Sequence, residues 1–292
     1  MSIYKLSNDI IRLIFEYFDL KNTLFYSTCK EFRKYRFFLN LNKDSTLKYI
    51  KDSTFRNNVD NRNLKIITSE MNYVKNITDV NMLGKVYILN LQHCYNITDV
   101  SELGNVHTLN LSRCNKIINV SMLDNVHILN LSYCYKIIDV SMLGNVYTLN
   151  LTGCYNIIDI SMLCNVHILN LSSCWGITNV DMLGNVYDLN LSNCVNITDV
   201  SMLGNIHTLN LRHCYKITNV SNLGNVHTLN LSNCWRITDV SKLGKNHTLD
   251  LSDCDKITDV SMLGNIHTLD LSNCCGITDV SMLCNVHTLK YI

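Results

Sequence analysis

The 292-residue chain contains no proline, and only 17% of its residues are charged. Together with abundant Asn and Ile, the lack of proline indicates a coding bias more than a structural device. No stretch approaches the ~20 apolar residues of a membrane-spanning helix. No run of Lys and Arg marks a nucleic-acid or membrane patch, although residues 1–85 carry 15 Lys/Arg against 9 Asp/Glu (+6) and residues 86–292 carry 10 against 15 (−5). We therefore expect neither nucleic acid nor a membrane as a partner.

The N-terminus also lacks the features of a secretory signal. Asp9, Arg12 and Glu16 interrupt its apolar stretch, and no small-residue cleavage site follows. We therefore expect a protein that is not secreted and that lies in the cytoplasm. The fourteen cysteines of such a chain are expected to be reduced thiols.

A 20-residue unit dominates the sequence after about residue 86. Its example from Val106 to Asn125 reads V-H-T-L-N-L-S-R-C-N-K-I-I-N-V-S-M-L-D-N, and the unit recurs without an insertion. Its cysteine falls at every twentieth position from 94 to 274, and its central leucine from 89 to 289. A fixed period of this length is typical of solenoids, in which each unit buries its apolar face against its neighbours. The sequence predicts eleven strand segments and ten full repeats.

The spacing of apolar residues changes halfway through each unit. In the first half, the apolar residues Val106, Leu109 and Leu111 follow the two-residue alternation that is typical of a strand around its centre. Apolar residues then follow at every third position, at Cys114, Ile117, Val120 and Leu123. Since only about ten residues remain for the return, a 3₁₀ or extended segment is predicted instead of an α-helix. Gly104 and Asn105 are expected to form the turn into the next strand, with a positive φ at the glycine.

The pattern L-x-x-L-x-L-x-x-C-x-x-I-T-D resembles the cysteine-containing leucine-rich repeat. Leu109, Leu111, Cys114 and Ile117 occupy its key places, and the resemblance covers residues 86–292, although repeats of that family are usually several residues longer. The resemblance implies an α/β solenoid shaped as a horseshoe or arc. Its parallel sheet would form the concave face, and 3₁₀ or extended returns would form the convex face.

Residues 1–45 have the spacing of small amphipathic helices. A first helix over residues 6–18, which Ser7 or Asn8 can cap, would bury one apolar face formed by Ile10, Leu13, Ile14 and Tyr17. A second helix is expected after Asp19, and a third at Phe37, Phe38 and Leu41. A segment this short has little core of its own, so we expect it to dock on another protein.

The same head, L-x-x-D-I-I-x-x-I-F-x-Y-F followed by L-x(8)-C-K-E-F, resembles an F-box, the module that attaches substrate receptors to the adaptor Skp1 in cullin-RING ubiquitin ligases. Ser7 stands where this family usually has Pro, and Phe32 where Trp is common. The resemblance implies that a Skp1-like adaptor contacts Leu6, Ile10, Ile11, Ile14, Phe15, Phe18 and Phe32. An F-box before cysteine-type repeats is a known pairing, and the proline-free composition resembles such proteins of large DNA viruses.

Residues 46–85 are interpreted as a linker and an N-terminal cap between the head and the solenoid of residues 86–292. Leu64, Ile66 and Ile67 are expected to form an irregular first strand, and the I-T-D-V sequence of residues 77–80 already fits the repeat.

Cysteine and histidine recur at a spacing that invites comparison with zinc fingers, since twelve residues separate Cys114 from His127. The chain has no C-x-x-C pair, however, and the cysteine is expected to point inward and the histidine outward, so that they cannot share a tetrahedral ion. We therefore expect no metal and no cofactor. We expect a buried row of thiols, more exposed thiols at Cys164, Cys275 and Cys284, and histidines ~5 Å apart along one edge of the strands.

The strand asparagines from Asn90 to Asn230 are expected to form an amide ladder at the concave centre, replaced later by Asp250 and Asp270. Nearly every side chain is copied ten times and faces its own copies, so no nucleophile, base and orienting group converge. The sequence predicts a protein that is not an enzyme.

Two positions that flank the cysteine vary most among the copies, and one of them holds Tyr or Trp in many repeats. Such aromatic residues often anchor protein interfaces. The alternative is that they only shield the edge of the apolar column. The candidates for contact with an unknown target protein are Tyr135, Tyr155, Trp175, Tyr215, Trp235, Asp250, Asp253, Asp255 and Asp270.

The acidic residues among these candidates concentrate in the late repeats. They favour a basic or extended target segment bound across repeats 8–11 and anchored on Trp235, with sequence drift in the late repeats as the alternative. After the final strand, a partner or the charge of Lys290 is expected to protect the sheet edge.

Two functions therefore remain open. The chain is either the substrate receptor of an SCF-type ubiquitin ligase, with the head on Skp1 and the solenoid on its target, or a stand-alone leucine-rich-repeat interaction scaffold. In the first case it would act in the cytoplasm, of the host cell if the chain is viral.

Overall fold

The computed structural model of the chain describes residues 38–61, 65–68 and 76–291. It divides into two compact units, residues 1–67 and 68–292. Among the described residues, no helix has the length and apolar character needed to cross a bilayer.

The described residues 38–68 contain two short strands and two helices, the last residue of the second strand belonging to the second unit. Strand β1 (Phe38–Leu41) is followed by helices α1 (Lys43–Lys51) and α2 (Ser53–Asp60) and by strand β2 (Lys65–Thr68). The third helix predicted at Phe37, Phe38 and Leu41 is therefore wrong for the described residues 38–41. A short apolar run fits a helix and a strand equally well, and here Asn42 begins the helix only after the run has ended.

Side chains fix the starts and the packing of these two helices. The Oδ1 of Asn42 accepts a hydrogen bond from the N–H of Ser45, and the Oδ1 of Asp52 accepts one from Phe55. The buried Tyr49 of α1 donates its hydroxyl to Asp60 at the end of α2. Helices in this region were not predicted from the sequence. The strand predicted at Leu64, Ile66 and Ile67 is confirmed as β2 for Ile66 and Ile67, and Leu64 lies outside the described residues.

Eleven three-residue strands of the second unit form a parallel sheet in sequence order. They are β3 (Ile88–Asn90), β4 (Thr108–Asn110), β5 (Ile128–Asn130), β6 (Thr148–Asn150), β7 (Ile168–Asn170), β8 (Asp188–Asn190), β9 (Thr208–Asn210), β10 (Thr228–Asn230), β11 (Thr248–Asp250), β12 (Thr268–Asp270) and β13 (Thr288–Lys290). Neighbours pair with a shift of 20 residues, as in Leu209 beside Leu229. The eleven predicted strands and their period are confirmed.

The core of this unit lies between the sheet and the returns. Leu109 and Leu111 point inward from the strand, and Ile117 and Leu123 point inward from the return, all at most 1% exposed. Each row repeats along the solenoid, so that a unit without a core of its own buries its apolar residues against two neighbours.

The returns are short 3₁₀ helices and turns, and no α-helix occurs between residues 76 and 291, as the sequence predicts. The 3₁₀ helices are Asn81–Leu83, Ser101–Leu103, Ser121–Leu123, Ser141–Asn145, Ser161–Leu163, Asp181–Leu183, Ser201–Leu203, Ser221–Asn225, Ser261–Leu263 and Ser281–Leu283. Before each helix a carboxylate or amide closes the turn, as where the Oδ1 of Asp139 accepts a hydrogen bond from the N–H of Ser141 at 2.9 Å.

The positive φ expected at Gly104 is wrong, because this residue has φ −61°. The glycine is needed for a different reason. A Cβ on Gly104 would overlap the backbone carbonyl oxygen of Met122, which lies in the next repeat. Close approach of two returns, and not a left-handed turn, therefore explains the glycine.

Candidate functional site

Each strand of the solenoid ends in a turn that its own last side chain closes. The Oδ1 of Asn110 accepts a hydrogen bond from the backbone N–H of Ser112 at 3.0 Å, and Asn130 makes the same contact with Ser132 at 2.9 Å. These asparagines are half-buried. Their recurring contact is therefore the closure of a turn and not the expected amide ladder.

Three residues after this asparagine, the backbone is left-handed in ten successive repeats. The residues are His93, Arg113, Tyr133, Gly153, Ser173, Asn193, His213, Asn233, Asp253 and Asn273, with φ between +59° and +71°. A left-handed residue with a Cβ costs about 1–2 kcal/mol. The N–H of Arg113 donates to the carbonyl of Ser132 in the next repeat at 2.8 Å, which helps to offset that cost.

This left-handed turn is one of the two positions that vary most among the repeats, and sequence reasoning missed its backbone role. The signal was present, since half of its occupants are Gly, Asn or Asp, the residues that tolerate this conformation best. The turn brings the second variable position, two residues further on, to the edge of the sheet where the strands end.

At that edge, aromatic side chains of the second variable position form what we call the rim strip: Tyr135, Tyr155, Trp175, Tyr215 and Trp235. Tyr135 stacks on Tyr155 with 4.8 Å between ring centroids, and Tyr155 stacks on Trp175 at 5.5 Å. Trp175 is nevertheless 52% exposed. The structure thus brings three predicted target-binding residues together as one stacked, accessible surface.

The later part of the rim strip is a second, looser pair. Val195 interrupts the aromatic row, and beyond it Tyr215 and Trp235 lie 6.0 Å apart with their rings tilted by 46°. The guanidinium of Arg236 lies 5.5 Å from the centre of the Trp235 ring. Trp235 therefore already has a cation beside it.

The acidic candidates form hydrogen-bonded caps and links between repeats. Asp250 and Asp270 close the turn after the strand as the asparagines do in earlier repeats. Asp250 accepts a hydrogen bond from the backbone N–H of Ser252, and Asp270 accepts one from that of Ser272, both at 3.0 Å. The second oxygen of Asp250 accepts from Asn230, and that of Asp270 accepts from Lys290 at 3.1 Å.

The remaining two acidic candidates lie beside these caps. Both oxygens of Asp253 accept from side-chain amides of the adjacent repeats, those of Asn233 and Asn273. Asp255 is exposed next to them. Three of the four predicted carboxylates thus have a structural role that sequence reasoning did not assign.

The cysteines of the repeat form a buried thiol row, as predicted. The Sγ of Cys194 lies 3.1 Å from the carbonyl oxygen of Leu171 in the preceding repeat, to which it donates. Burial raises the pKa of the Cys194 thiol to about 12, so the thiol stays neutral and can donate this bond. Cys275 and Cys284 are exposed and Cys164 is half-buried, which confirms the expectation for these three.

A second aromatic row, which we call the ring ladder, runs along the opposite edge, where the strands begin. It consists of Tyr87, His107, His127, Tyr147, His167, Tyr187, His207, His227, His247, His267 and His287. Adjacent ring centroids lie 4.5–4.9 Å apart. The predicted spacing of the histidines is confirmed, and tyrosines continue the row where histidine is missing.

The geometry of the ring ladder does not suit a metal ion. His247 and His267 are stacked at 4.6 Å with an angle of 11° between their planes. The lone pairs of ring nitrogens lie in the ring planes, so those of nearly parallel rings do not converge on one ion. Across the described residues, no three or more His, Cys, Asp or Glu side chains are arranged to hold an ion.

The residues that the F-box resemblance implies for a Skp1-like adaptor lie outside the described residues. They are Leu6, Ile10, Ile11, Ile14, Phe15, Phe18 and Phe32.

Comparisons with known sequences found no match, since neither a protein-family model nor a curated protein matches the chain. Solved structures do match. The internalin InlF of Listeria monocytogenes is 21% identical with a TM-score of 0.60, and the match covers 82% of this chain and 77% of the internalin.

Two further solved structures match the same architecture. A leucine-rich-repeat protein of Leptospira interrogans is 15% identical with a TM-score of 0.50, over 90% of this chain and 79% of that one. The functional domain of InlJ from Listeria monocytogenes, described as including a cysteine ladder, is 17% identical with a TM-score of 0.52, over 80% of this chain and 54% of that domain. At 15–21% identity these structures establish the fold alone, and the repeats of this chain form a leucine-rich-repeat solenoid.

Proposed function

We propose that this chain is a protein-binding leucine-rich-repeat module and that its target lies against the rim strip. The observation that supports this most is the stack of Tyr135, Tyr155 and Trp175 from three consecutive repeats, in which Tyr155 and Trp175 are exposed. Tyr and Trp contribute large contact areas at little conformational cost and are enriched at the energetic centres of interfaces. Aromatic residues that only shielded the core would not need to leave half of Trp175 exposed.

Binding fits the arrangement of the repeats better than catalysis does. Most side chains of the solenoid lie beside copies of themselves, such as the thiol row and the ring ladder. Catalysis needs unlike groups that converge on one reacting atom. A long surface of parallel rows is instead suited to contact with an extended partner surface.

The test replaces each rim residue by one that another repeat already uses. Tyr135→Asn and Tyr155→Asn copy Asn115, and Trp175→Val copies Val195, so the fold is expected to tolerate all three. Affinity capture with the full chain should retain a target that the triple variant loses. A matched control changes the opposite edge with Tyr147→His and Tyr187→His, which copy the ring ladder and should keep the target. Equal capture by the rim variant and the wild type would contradict the proposal.

We further propose that a basic or extended segment of the target also contacts the late repeats. Trp235 and the exposed Asp255 support it, although Asp250, Asp253 and Asp270 already accept hydrogen bonds within the chain. Combining Trp235→Ala with Asp250→Asn and Asp270→Asn should weaken target capture. The control set is Tyr95→Ala, Asn110→Ala and Arg113→Ala at the other end, and loss of capture by this set alone would place the contact in the early repeats.

A finer proposal is that the chain is the substrate receptor of an SCF-type ubiquitin ligase in the cytoplasm, of the host cell if the chain is viral. Its support is the F-box resemblance of residues 1–45. The full chain should co-purify with Skp1, whereas Ile14→Asp or Phe15→Asp should abolish that complex and leave the circular dichroism of the solenoid unchanged. If no complex forms at ~10 μM, or if both variants still bind, the chain is a stand-alone scaffold.

A further inference from the structure

A row of exposed methionines runs along the returns of the solenoid. Its members are 52–61% exposed and are Met122, Met142, Met162, Met182, Met202, Met262 and Met282. The row is interrupted between Met202 and Met262, where the two equivalent positions hold Asn222 and Lys242. Both replacements are exposed, so the packing of the core does not explain the interruption.

A hollow of about 790 Å³ lies at this interruption, and residues of four successive repeats line it. Met202 belongs to the first of these repeats and Met262 to the last, while Asn222 and Lys242 come from the two between them. The hollow thus lies where two methionine side chains are missing from the row. Sites for small molecules have volumes of ~300–1,000 Å³, so this hollow is large enough for one.

The return that begins at Ser241 gives the hollow its charge. Lys242 stands where most repeats have Met, and Lys245 stands where most have Asn. Both line the hollow, which we call the lysine hollow. This is also the one return between residues 76 and 291 that contains no 3₁₀ helix. Two cations are therefore added at one place of a solenoid whose residues 86–292 carry a net charge of −5.

The two lysines are available to an anion. Both are exposed, and neither forms an ion pair or a side-chain hydrogen bond with a described residue. The pKa of Asp239 is lowered mainly by the backbone N–H of Ser241, and the charge of Lys242 lowers it further. Asp239 lines the adjacent hollow, however, and among the described residues that line the lysine hollow none is Asp or Glu.

Asparagine side chains supply hydrogen-bond donors beside the lysines. The amides that line the lysine hollow without a side-chain hydrogen bond to a described residue are those of Asn205, Asn225 and Asn265. The NH₂ group of an amide donates two hydrogen bonds, and an ammonium group donates three. Charge-assisted bonds of this kind are those that phosphate oxygens accept most strongly. The lining therefore favours an anion with several oxygens.

We propose that the lysine hollow binds a small phosphate ester, such as a sugar phosphate. A phosphate monoester carries about −1.5 to −2 charges at pH ~7, which matches the two ammonium groups of Lys242 and Lys245. The asparagine amides donate to its oxygens, and Met202 and Met262 contact the uncharged body of the ester. This site lies on the returns and shares no residue with the rim strip, so it goes beyond the proposed binding of a target protein and does not depend on it.

Ligand binding to the full chain tests the proposal. Phosphorus NMR titration with ribose 5-phosphate should give a dissociation constant of ~1 mM or below. Because the lysines are exposed, ~0.5 M NaCl should weaken this binding. The variant with Lys242→Met and Lys245→Asn restores the residues of the neighbouring repeats, so its fold should be kept. Its dissociation constant should be about tenfold higher or more.

A matched control removes two positive charges elsewhere on the solenoid. Lys136→Asn with Lys256→Asn lies outside the lysine hollow and should leave the dissociation constant unchanged. Equal weakening by this control would reduce the effect to net charge and overturn the proposal. A folded variant with Lys242→Met and Lys245→Asn that binds as tightly as the wild type would do so too.

Two results with the wild-type chain would also overturn the proposal. One is the absence of saturable binding of ribose 5-phosphate up to ~10 mM. The other is binding of inorganic phosphate as tight as that of the ester, which would leave an adventitious ion only. Since no variant changes the rim strip and the probe is a small molecule, failure here leaves the proposed binding of a target protein untouched.

Discussion

The thiol of Cys114 donates a hydrogen bond to the carbonyl oxygen of Leu91, and 3.2 Å separate sulfur and oxygen. The same oxygen also accepts the backbone N–H of Cys94, which lies in its own repeat. One cysteine thus uses the second lone pair of a buried carbonyl in the neighbouring repeat. This explains why a small residue with a weak donor recurs at this position when an apolar residue of similar size could fill the same space.

We predict that the thiol row is chemically inert while the chain is folded. Burial raises the pKa of Cys94 to about 11 and that of Cys114 to about 12, and the thiolate is the reactive form. Alkylation at pH ~7.5 followed by peptide mass spectrometry should label Cys275 and Cys284 quickly and Cys114 only after unfolding. Labelling of Cys114 as fast as Cys284 in the native chain would disprove the buried row.

The same shift predicts a loss of stability at alkaline pH. Because the folded pKa of Cys94 and Cys114 lies above the ordinary value of 9.0, their contribution is complete below pH 9.0 and is lost as the pH rises towards about 11 and 12. Thermal melting followed over this range should show a falling midpoint. Cys114→Ala should reduce the slope, whereas Cys284→Ala should not.

Stability should also fall in acid, through the aspartates that cap the returns. A hydrogen bond from the backbone N–H of the serine two residues on is the main cause that holds the pKa of Asp139 and Asp159 below the ordinary value of 3.8. Their stabilisation is present above pH 3.8 and is lost as the pH falls through the lowered folded pKa. Melting curves in this range should therefore shift to lower temperature.

Asparagine variants provide the control for this acid effect. Asn119 caps the equivalent turn by accepting from the N–H of Ser121 at 2.9 Å, and it does not titrate. Asp139→Asn with Asp159→Asn should therefore flatten the dependence of the melting midpoint on pH without loss of the fold. An unchanged pH dependence would show that other carboxylates determine acid stability.

A leucine in the middle of the solenoid should matter more than its equivalent in the last described strand. Leu209 is 1% exposed between two paired strands, whereas Leu289 is 37% exposed. Leu209→Ala should cost ~2–5 kcal/mol of unfolding free energy and reduce the cooperativity of urea unfolding. Leu289→Ala should cost well under half of that, and equal costs would argue against a linear stack of repeats.

Asn246 is a buried polar residue in a row of apolar ones, where the preceding repeat has Val226. It is 2% exposed, and its Nδ2 donates to the carbonyl of Leu223 at 3.0 Å, while its Oδ1 finds no donor among the described residues. Asn246→Val should therefore raise the unfolding free energy by ~1–3 kcal/mol, as measured by urea denaturation. Val226→Asn is the reciprocal control and should lower it. A stabilising effect of both changes would contradict this explanation.

The repeat, its strands and the side chains that face the core could all be predicted from the sequence alone. Each unit of 20 residues places Leu109 and Leu111 in the strand and Cys114 in the return, or their equivalents. Every copy can bury the same side chains only if the units stack in a row, and these side chains are indeed buried. The ten residues left for the return exclude an α-helix of ordinary length, which the 3₁₀ helices confirm. Such properties follow from spacing within one unit, so a single sequence is sufficient to find them.

Roles that depend on the neighbouring repeat were decided only by the tertiary structure. Gly104 is favoured by the close approach of a carbonyl 18 residues later, Asn110 closes its own turn, and Arg113 adopts a left-handed backbone whose N–H bonds to the next repeat. The stacking of Tyr155 on Trp175 likewise joins two repeats. Spacing within a unit fixes which side chains face inward, but a hydrogen bond or a ring stack depends on where the adjacent backbone lies, and the packing of the assembled solenoid determines that position.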